Sequence, residues 1–228
     1  MSKRNKLQKF ADLAAFPNVY ENFTHEKPQL LGLQGQKVEL KGKWRKAHFK
    51  NEQPITLELA CGRGEYTLAL ARRFPQRNFI GVDIKGARIW KGARIALEEN
   101  LTNAAFLRTR IEQLNYFFAP REVEEIWITF PDPFPKKENR RLTSPPFIDS
   151  YRKLLPKGGL IHLKTDATDF YEYTLTTYQN YPGIQLAYAN ADIYEGEIPM
   201  PELAFKTYYE AMHLREGKKI KYLRLVVK

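Results

Sequence analysis

Ile55-Thr56-Leu57-Glu58-Leu59-Ala60 runs straight into Cys61-Gly62-Arg63-Gly64. The first six residues read as a buried strand and the next four as a tight turn. Residues 65–73 carry Tyr66, Leu68, Ala69, Leu70 and Ala71 in a helical stretch that stops before Pro75. Residues 78–83 are a second strand, closing on Asp83, and residues 85–100 a second helix. The alternation continues with strands over 104–109, 126–130 and 160–165 and helices over 145–154 and 169–180, the last capped by Asp166 or Thr168. Residues 184–190 and 219–227 are late strands with no long helix between them, so they are expected to pair antiparallel at an edge. Strands alternating with helices at this spacing predict an α/β fold, a doubly wound, mostly parallel seven-stranded sheet with an antiparallel edge strand.

On such a sheet, a glycine turn after the first strand and an acid ending the second form a nucleoside site. Gly62 and Gly64 let a ligand approach the backbone, and Asp83 would accept from ribose hydroxyls. The dinucleotide fingerprint wants a third glycine, but position 67 is Thr. Glu58, just before the turn, would bury its charge beside that of a pyrophosphate. A carboxylate there suits a cationic ligand, and S-adenosylmethionine, with its sulfonium and α-ammonium groups, is favoured over a nicotinamide cofactor. Cys61, inside this turn, reads as a small packed residue rather than a nucleophile.

The second informative stretch is Glu125-Ile126-Trp127-Ile128-Thr129-Phe130-Pro131-Asp132-Pro133-Phe134-Pro135-Lys136-Lys137. Three alternating prolines should hold Asp132 and Phe134 extended and stiff. Lys136, Lys137, Arg140 and Arg141 follow. An acid, a ring and then cations at the carboxyl end of a strand suit gripping a base and its phosphates.

The formal net charge of +11 is uneven: residues 1–50 hold eleven Lys and Arg against four acids, while residues 51–228 hold 26 against 22. The chain is therefore expected to divide into a basic, partly disordered extension over 1–50, with a short helix within 3–16, and a catalytic domain over 51–228. A basic arm of this kind usually meets polyanions, nucleic acid first. No apolar run is long enough to span a bilayer, and the first residues are not expected to act as a secretory signal. One cysteine excludes an intramolecular disulfide and a cysteine-rich zinc site, and the four histidines are scattered without ligand spacing. A cytoplasmic, metal-free protein is expected.

Six segments together resemble the bacterial tRNA (guanine-N7)-methyltransferases. They are Leu57-Glu58-Leu59-Ala60-Cys61-Gly62-Arg63-Gly64-Glu65, Phe79-Ile80-Gly81-Val82-Asp83, Phe130-Pro131-Asp132-Pro133-Phe134-Pro135-Lys136-Lys137, Arg140-Arg141-Leu142-Thr143, Lys164-Thr165-Asp166 and Thr207-Tyr208-Tyr209-Glu210. The resemblance implies a Rossmann-like methyltransferase fold and methyl transfer from S-adenosylmethionine to N7 of the guanine at variable-loop position 46 of tRNA. It implies donor contacts from Glu58, Gly62, Gly64, Asp83, Asp132 and, for the adenine amine, Glu112 or a backbone group, with Asp132 the catalytic residue. Substrate contacts are implied for Lys136, Arg140, Arg141, Asp166, Thr207, Tyr209 and Glu210. A monomer and a homodimer are both open. The family often has Gly where Ala60 stands, an acid where Arg110 follows the third strand, and Trp in place of Phe134. Two other readings remain open: an exocyclic-amine RNA methyltransferase, and a non-catalytic tRNA-binding protein of the same fold.

Overall fold

The computed structural model describes residues 4–228, which fall into two compact units meeting in sequence at Ala119 and Pro120. That division lies inside the expected 51–228 domain, and residues 4–50 fold as part of the first unit. Met1, Ser2 and Lys3, where the first helix was expected to begin, lie outside the described residues.

In the first unit, β1 (Val19–Glu21), β2 (Ile55–Leu59), β3 (Asn78–Asp83) and β4 (Ala104–Arg108) lie in the order β1-β4-β3-β2, all parallel. Every residue of β2 and β3 is buried, as expected of parallel strands covered on both faces. Helices α1 (Lys6–Ala14), α2 (Glu65–Arg73) and α3 (Gly86–Glu98) pack in this unit, α2 on β3, α3 on β4 and α1 on α3. α1 starts at a reciprocal cap, Asn5 Oδ1 accepting from Gln8 N and Gln8 Oε1 from Asn5 N, both at 2.9 Å. A short helix, α4 (Leu114–Phe117), closes the unit.

The expected loose extension is thus folded, and it brings an eighth strand, β1. Aromatic anchoring is the physical reason. Trp44 is fully buried, donates from Nε1 to the Phe117 carbonyl at 2.8 Å and stacks on Phe118. Tyr20 packs edge-on against Trp44 and shares a 2.7 Å hydrogen bond with His48 Nδ1. Anchors spaced this irregularly leave no period in the sequence.

In the second unit, β5 (Glu125–Thr129), β6 (Leu160–Thr165), β7 (Ile184–Asn190) and β8 (Lys221–Val227) lie in the order β5-β6-β8-β7. β5 and β6 are parallel, and β8 runs antiparallel to both its neighbours, the edge pairing expected of the two late strands. Helices α5 (Pro145–Leu154), α6 (Thr168–Tyr178) and α7 (Tyr208–Arg215) complete it. The expected cap of α6 does not form. Its N-cap is Ala167, which makes no side-chain cap, while Thr165 Oγ1 accepts from Ala167 N.

His48 supplies a test of the folded N-terminal segment. Burial, helped by the nearby Lys50 charge, lowers its pKa to about 4. The unfolded chain therefore binds a proton that the folded one refuses between pH 6.5 and about 4. That stabilisation is complete above pH 6.5 and drains away as the pH falls toward 4. Allowing for screening at a partly exposed ring, it amounts to about 2 kcal/mol. Urea midpoints of His48→Gln should lose this part of the acid-side slope; identical slopes in the two proteins would show that His48 is not held neutral.

Candidate active site

The first unit presents the ends of β2, β3 and β4 with the turn that leaves β2. Ala60, Gly62 and Gly64 all have left-handed backbone, with φ of 59°, 58° and 69°. Ala60 bears a Cβ in this region, a strain of roughly 1–2 kcal/mol that glycine would not carry. At Gly64 an added Cβ would lie 2.5 Å from Phe106 Cε1, so α2 can start only where that ring allows. At Gly62 nothing but the Ala60 carbonyl, at 4.0 Å, comes near, which leaves its backbone open to close approach.

Asp83 is buried at the end of β3 and fixes this turn. Its Oδ2 accepts from Gly62 N at 2.9 Å and its Oδ1 from Lys85 N at 2.7 Å. Each oxygen keeps a further lone pair for a hydroxyl donor. Glu58 is buried as well, and its Oε2 accepts from both Thr67 N (2.8 Å) and Thr67 Oγ1 (2.5 Å). Thr67, where a third glycine was missing from the fingerprint, thus couples the carboxylate to the first turn of α2. The Cys61 thiol reports the field of the turn. Burial pushes its pKa well up, and the charges of Glu58 and Asp83 push it further. A buried thiol kept protonated is no nucleophile, and a cradle made negative by two carboxylates fits a cationic donor.

Glu112 is exposed in a 3-10 turn after β4, while its neighbour Gln113 is buried. Gln113 Oε1 accepts from Asn22 Nδ2 at 2.9 Å, and its Nε2 donates to the Thr24 and His25 carbonyls. These bonds pin the loop after β1 against the end of β4. Asn22 and Gln113 had no sequence signal beyond being polar.

In the second unit the Pro131–Pro135 loop leaves β5. Phe130 and Phe134, each preceding a proline, have φ of 47° and 43°. The expectation of an extended Phe134 is corrected here. Its carbonyl accepts from Lys137 N at 3.1 Å, so the chain turns at this residue into successive turns through Arg141. Arg141 is also reassigned. Its side chain is buried, donates from Nε to the Pro133 carbonyl at 3.0 Å and from Nη1 to the Asp169 carbonyl at 3.3 Å, and lies 4.7 Å from the Tyr173 ring centroid. It clamps the loop from inside and does not face a phosphate. Lys136, Arg140 and Asp132 are exposed, and among the described residues nothing is hydrogen-bonded to the Asp132 carboxylate.

Thr207 and Glu210 hold the fold as well. They form the capping box of α7, Glu210 N donating to Thr207 Oγ1 at 3.2 Å. Glu210 is fully buried, 2.7 Å from Lys164 Nζ at Oε1 and 2.9 Å at Oε2, and it accepts from Tyr194 Oη at 2.7 Å. Lys164 completes its coordination with the Leu203 and Phe205 carbonyls, and burial lowers its pKa despite Glu210. What this pair presents outward is the exposed, edge-on pair Tyr208 and Tyr209. Asp166 stands partly exposed after β6, its Oδ2 3.5 Å from both His213 Nε2 and Lys218 Nζ. His213 stacks over Phe130 with centroids 6.0 Å apart, so α7 brings a histidine the sequence did not mark onto the loop that carries Asp132.

A glycine cradle and carboxylate at the ends of parallel strands define a Rossmann-like, nucleoside-dependent transferase. Solved structures share the fold. A 16S rRNA methyltransferase, KamB, superposes with a TM-score of 0.62 at 14% identity over 85% of this chain and 96% of its own. TrmN from Thermus thermophilus does so at 0.55 and 21% identity over 77% of this chain and 45% of its own. Residues 52–223 match the family described as "Putative methyltransferase". The tRNA (guanine-N(7)-)-methyltransferase of Bacteroides fragilis is 46% identical over 98% of this chain and 86% of its own, and that of Christiangramia forsetii is 46% identical over the whole of both. The chain belongs to the tRNA (guanine-N7)-methyltransferase family.

Glu210→Ala strands the Lys164 ammonium in the core, and breaking such a pair costs about 3–5 kcal/mol. The urea midpoint should fall accordingly. A variant of unchanged stability that had lost tRNA methylation would instead make Glu210 a ligand of the base.

Proposed function

We propose that the protein transfers the methyl group of S-adenosylmethionine to N7 of a guanine in tRNA, at variable-loop position 46. The observation that carries this reading is Asp132: an exposed carboxylate with no internal partner among the described residues, on a loop held rigid by three prolines, two left-handed phenylalanines and the buried Arg141. Backbone strain at Phe130 and Phe134 costs on the order of 1–3 kcal/mol each, and such strain gathers at functional sites.

When bound, the donor supplies a methyl made electrophilic by its sulfonium. Gly62 admits it to the backbone, Asp83 offers lone pairs to its ribose hydroxyls, and Glu58 with Asp83 sets the negative potential that favours its charge. Glu112, exposed beside the pinned loop, remains the side chain proposed for the adenine amine. Guanine N7 carries a free in-plane lone pair, so no residue has to remove a proton before attack. The requirement is in-line placement, which can supply roughly 7–11 kcal/mol. As the ring gains positive charge, the Asp132 carboxylate stabilises it without acting as a general base. Asp166 accepts from N1–H and the 2-amino group, which adenine does not offer as donors in that arrangement. Tyr209, beside Tyr208, provides a face for stacking, and Lys136 and Arg140 meet the phosphates.

Labelled donor and unmodified tRNA transcript, followed by nucleoside analysis, test the reaction; label in an N2- or N6-methylated nucleoside rather than 7-methylguanosine would overturn it. Asp132→Ala should lower turnover about 100-fold with little change in tRNA affinity. Near-normal turnover would remove Asp132 from catalysis. Neutralising Lys136 and Arg140 together should flatten the salt dependence of tRNA binding by about two in log–log slope. An unaltered slope would show that these two cations do not touch RNA.

A further inference from the structure

A second basic surface lies in the second unit at the amino ends of β5 and β6, away from the Asp132 loop. There a cavity of about 590 Å³ is lined by Arg121, Arg152, Lys153, Lys157 and Lys228, with a single carboxylate side chain, Asp149. Arg121 and Lys157 precede β5 and β6, Arg152 and Lys153 stand in the last turn of α5, and Lys228 follows β8, whose Val226 pairs with Leu160 at the start of β6.

The fold does not account for so many cations in one concavity. The C-terminal dipole of α5 favours Arg152 and Lys153, but not the other three. Among the described residues, Arg121, Lys153 and Lys157 have no carboxylate at ion-pair distance, and all three are exposed. Arg152, in contrast, is held in place. Its Nη1 lies 3.2 Å from Asp149 Oδ1, and Asp149 Oδ2 accepts from Tyr181 Oη at 3.0 Å. The guanidinium lies so close over Gly183 (φ 76°) that an added Cβ would clash with Nη2. A guanidinium oriented by Asp149 among exposed cations is a combination suited to phosphate oxygens. A small metabolite would be enclosed on most sides, whereas exposed cations around an open cavity suit a phosphodiester backbone.

We propose that this cavity is a second phosphate-binding surface, which seats backbone phosphates of tRNA away from the nucleotide being methylated. The proposal rests on tRNA being the substrate. β5 alone separates the cavity from the Asp132 loop by about 17 Å. A duplex presents a charge about every 1.7 Å of its axis, so one RNA molecule can reach both ends of the strand.

The test is the double charge reversal Lys153→Glu with Lys157→Glu in the full chain. It should raise the KM for full-length tRNA about tenfold at physiological salt. It should also make the log–log salt slope of tRNA binding shallower by about two, with kcat within about twofold and donor binding unchanged. If slope and KM match those of the wild type, the cavity does not bind tRNA. Inorganic phosphate, titrated calorimetrically into the wild type and the variant, gives the other arm. Phosphate binding lost in the variant while the tRNA slope stays unchanged assigns the cavity to a free anion and overturns the proposal. If the double variant does not fold, Arg121→Gln is read in the same way, with a slope change of about one. A wild type that methylates no tRNA would refute the function proposed above. The salt slope of tRNA binding would still decide what the cavity does.

Discussion

Lys164 puts an ammonium group into the core at the end of β6, and a charge there persists only with partners around it. Glu210 supplies the opposite charge, and two carbonyls supply the remaining acceptors. Because Glu210 is the third residue of α7, this one ion pair decides where the helix begins and which way its first turn faces. From that placement follow the exposure of Tyr208 and Tyr209, the approach of His213 to Asp166 and its stacking over Phe130. Replacing the pair with apolar residues of the same volume would often be neutral for stability. What the pair contributes is an orientation.

The same constraint sorts the other motif residues into two groups. Arg141, Glu58, Thr207 and Glu210 are buried or capped, and their polar atoms are taken up by carbonyls, amides and each other. Asp132, Lys136, Arg140 and Tyr209 are exposed. Chemistry needs a few groups held still while others hold them, and a short motif contains both kinds without distinguishing them. Arg140 and Arg141 are adjacent in sequence, yet one faces solvent and the other supports the loop by binding Pro133.

This is why the fold was more legible in the sequence than the site. The strands beginning at Ile55, Asn78 and Leu160 are largely apolar runs with a proline, glycine or carboxylate at one end, and the strand at Ala104 is an apolar run between polar residues, so composition marks all four. β1 is three residues long and held through its own Tyr20 against Trp44, which stacks on Phe118, contacts made by tertiary packing at sequence separations no local period can report. The left-handed turn at Phe134 is not legible in the sequence for a related reason. Proline dictates its own φ and only biases its neighbour, so the direction of the Pro131–Pro135 loop is set by Arg141 and by the turns that follow. For Glu210 and Arg141, the residue types were consistent with gripping a ligand and with gripping the protein. Only burial separates the two.

Acceptor chemistry makes this division workable. A reaction that had to deprotonate its nucleophile would need a base with a tuned pKa, hence a second buried polar group at the point of transfer. A free lone pair at guanine N7 removes that demand, so the role proposed for Asp132 asks only for a carboxylate on a stiff loop that cannot swing away. Three prolines limit the backbone of that loop, and a guanidinium kept from water by Tyr173 and Phe170 holds its Pro133 carbonyl. On the role proposed for Asp132, rigidity takes the place that proton transfer would occupy in another methyl transfer. That rigidity is why the strained Phe130 and Phe134 can be tolerated in an otherwise regular sheet end.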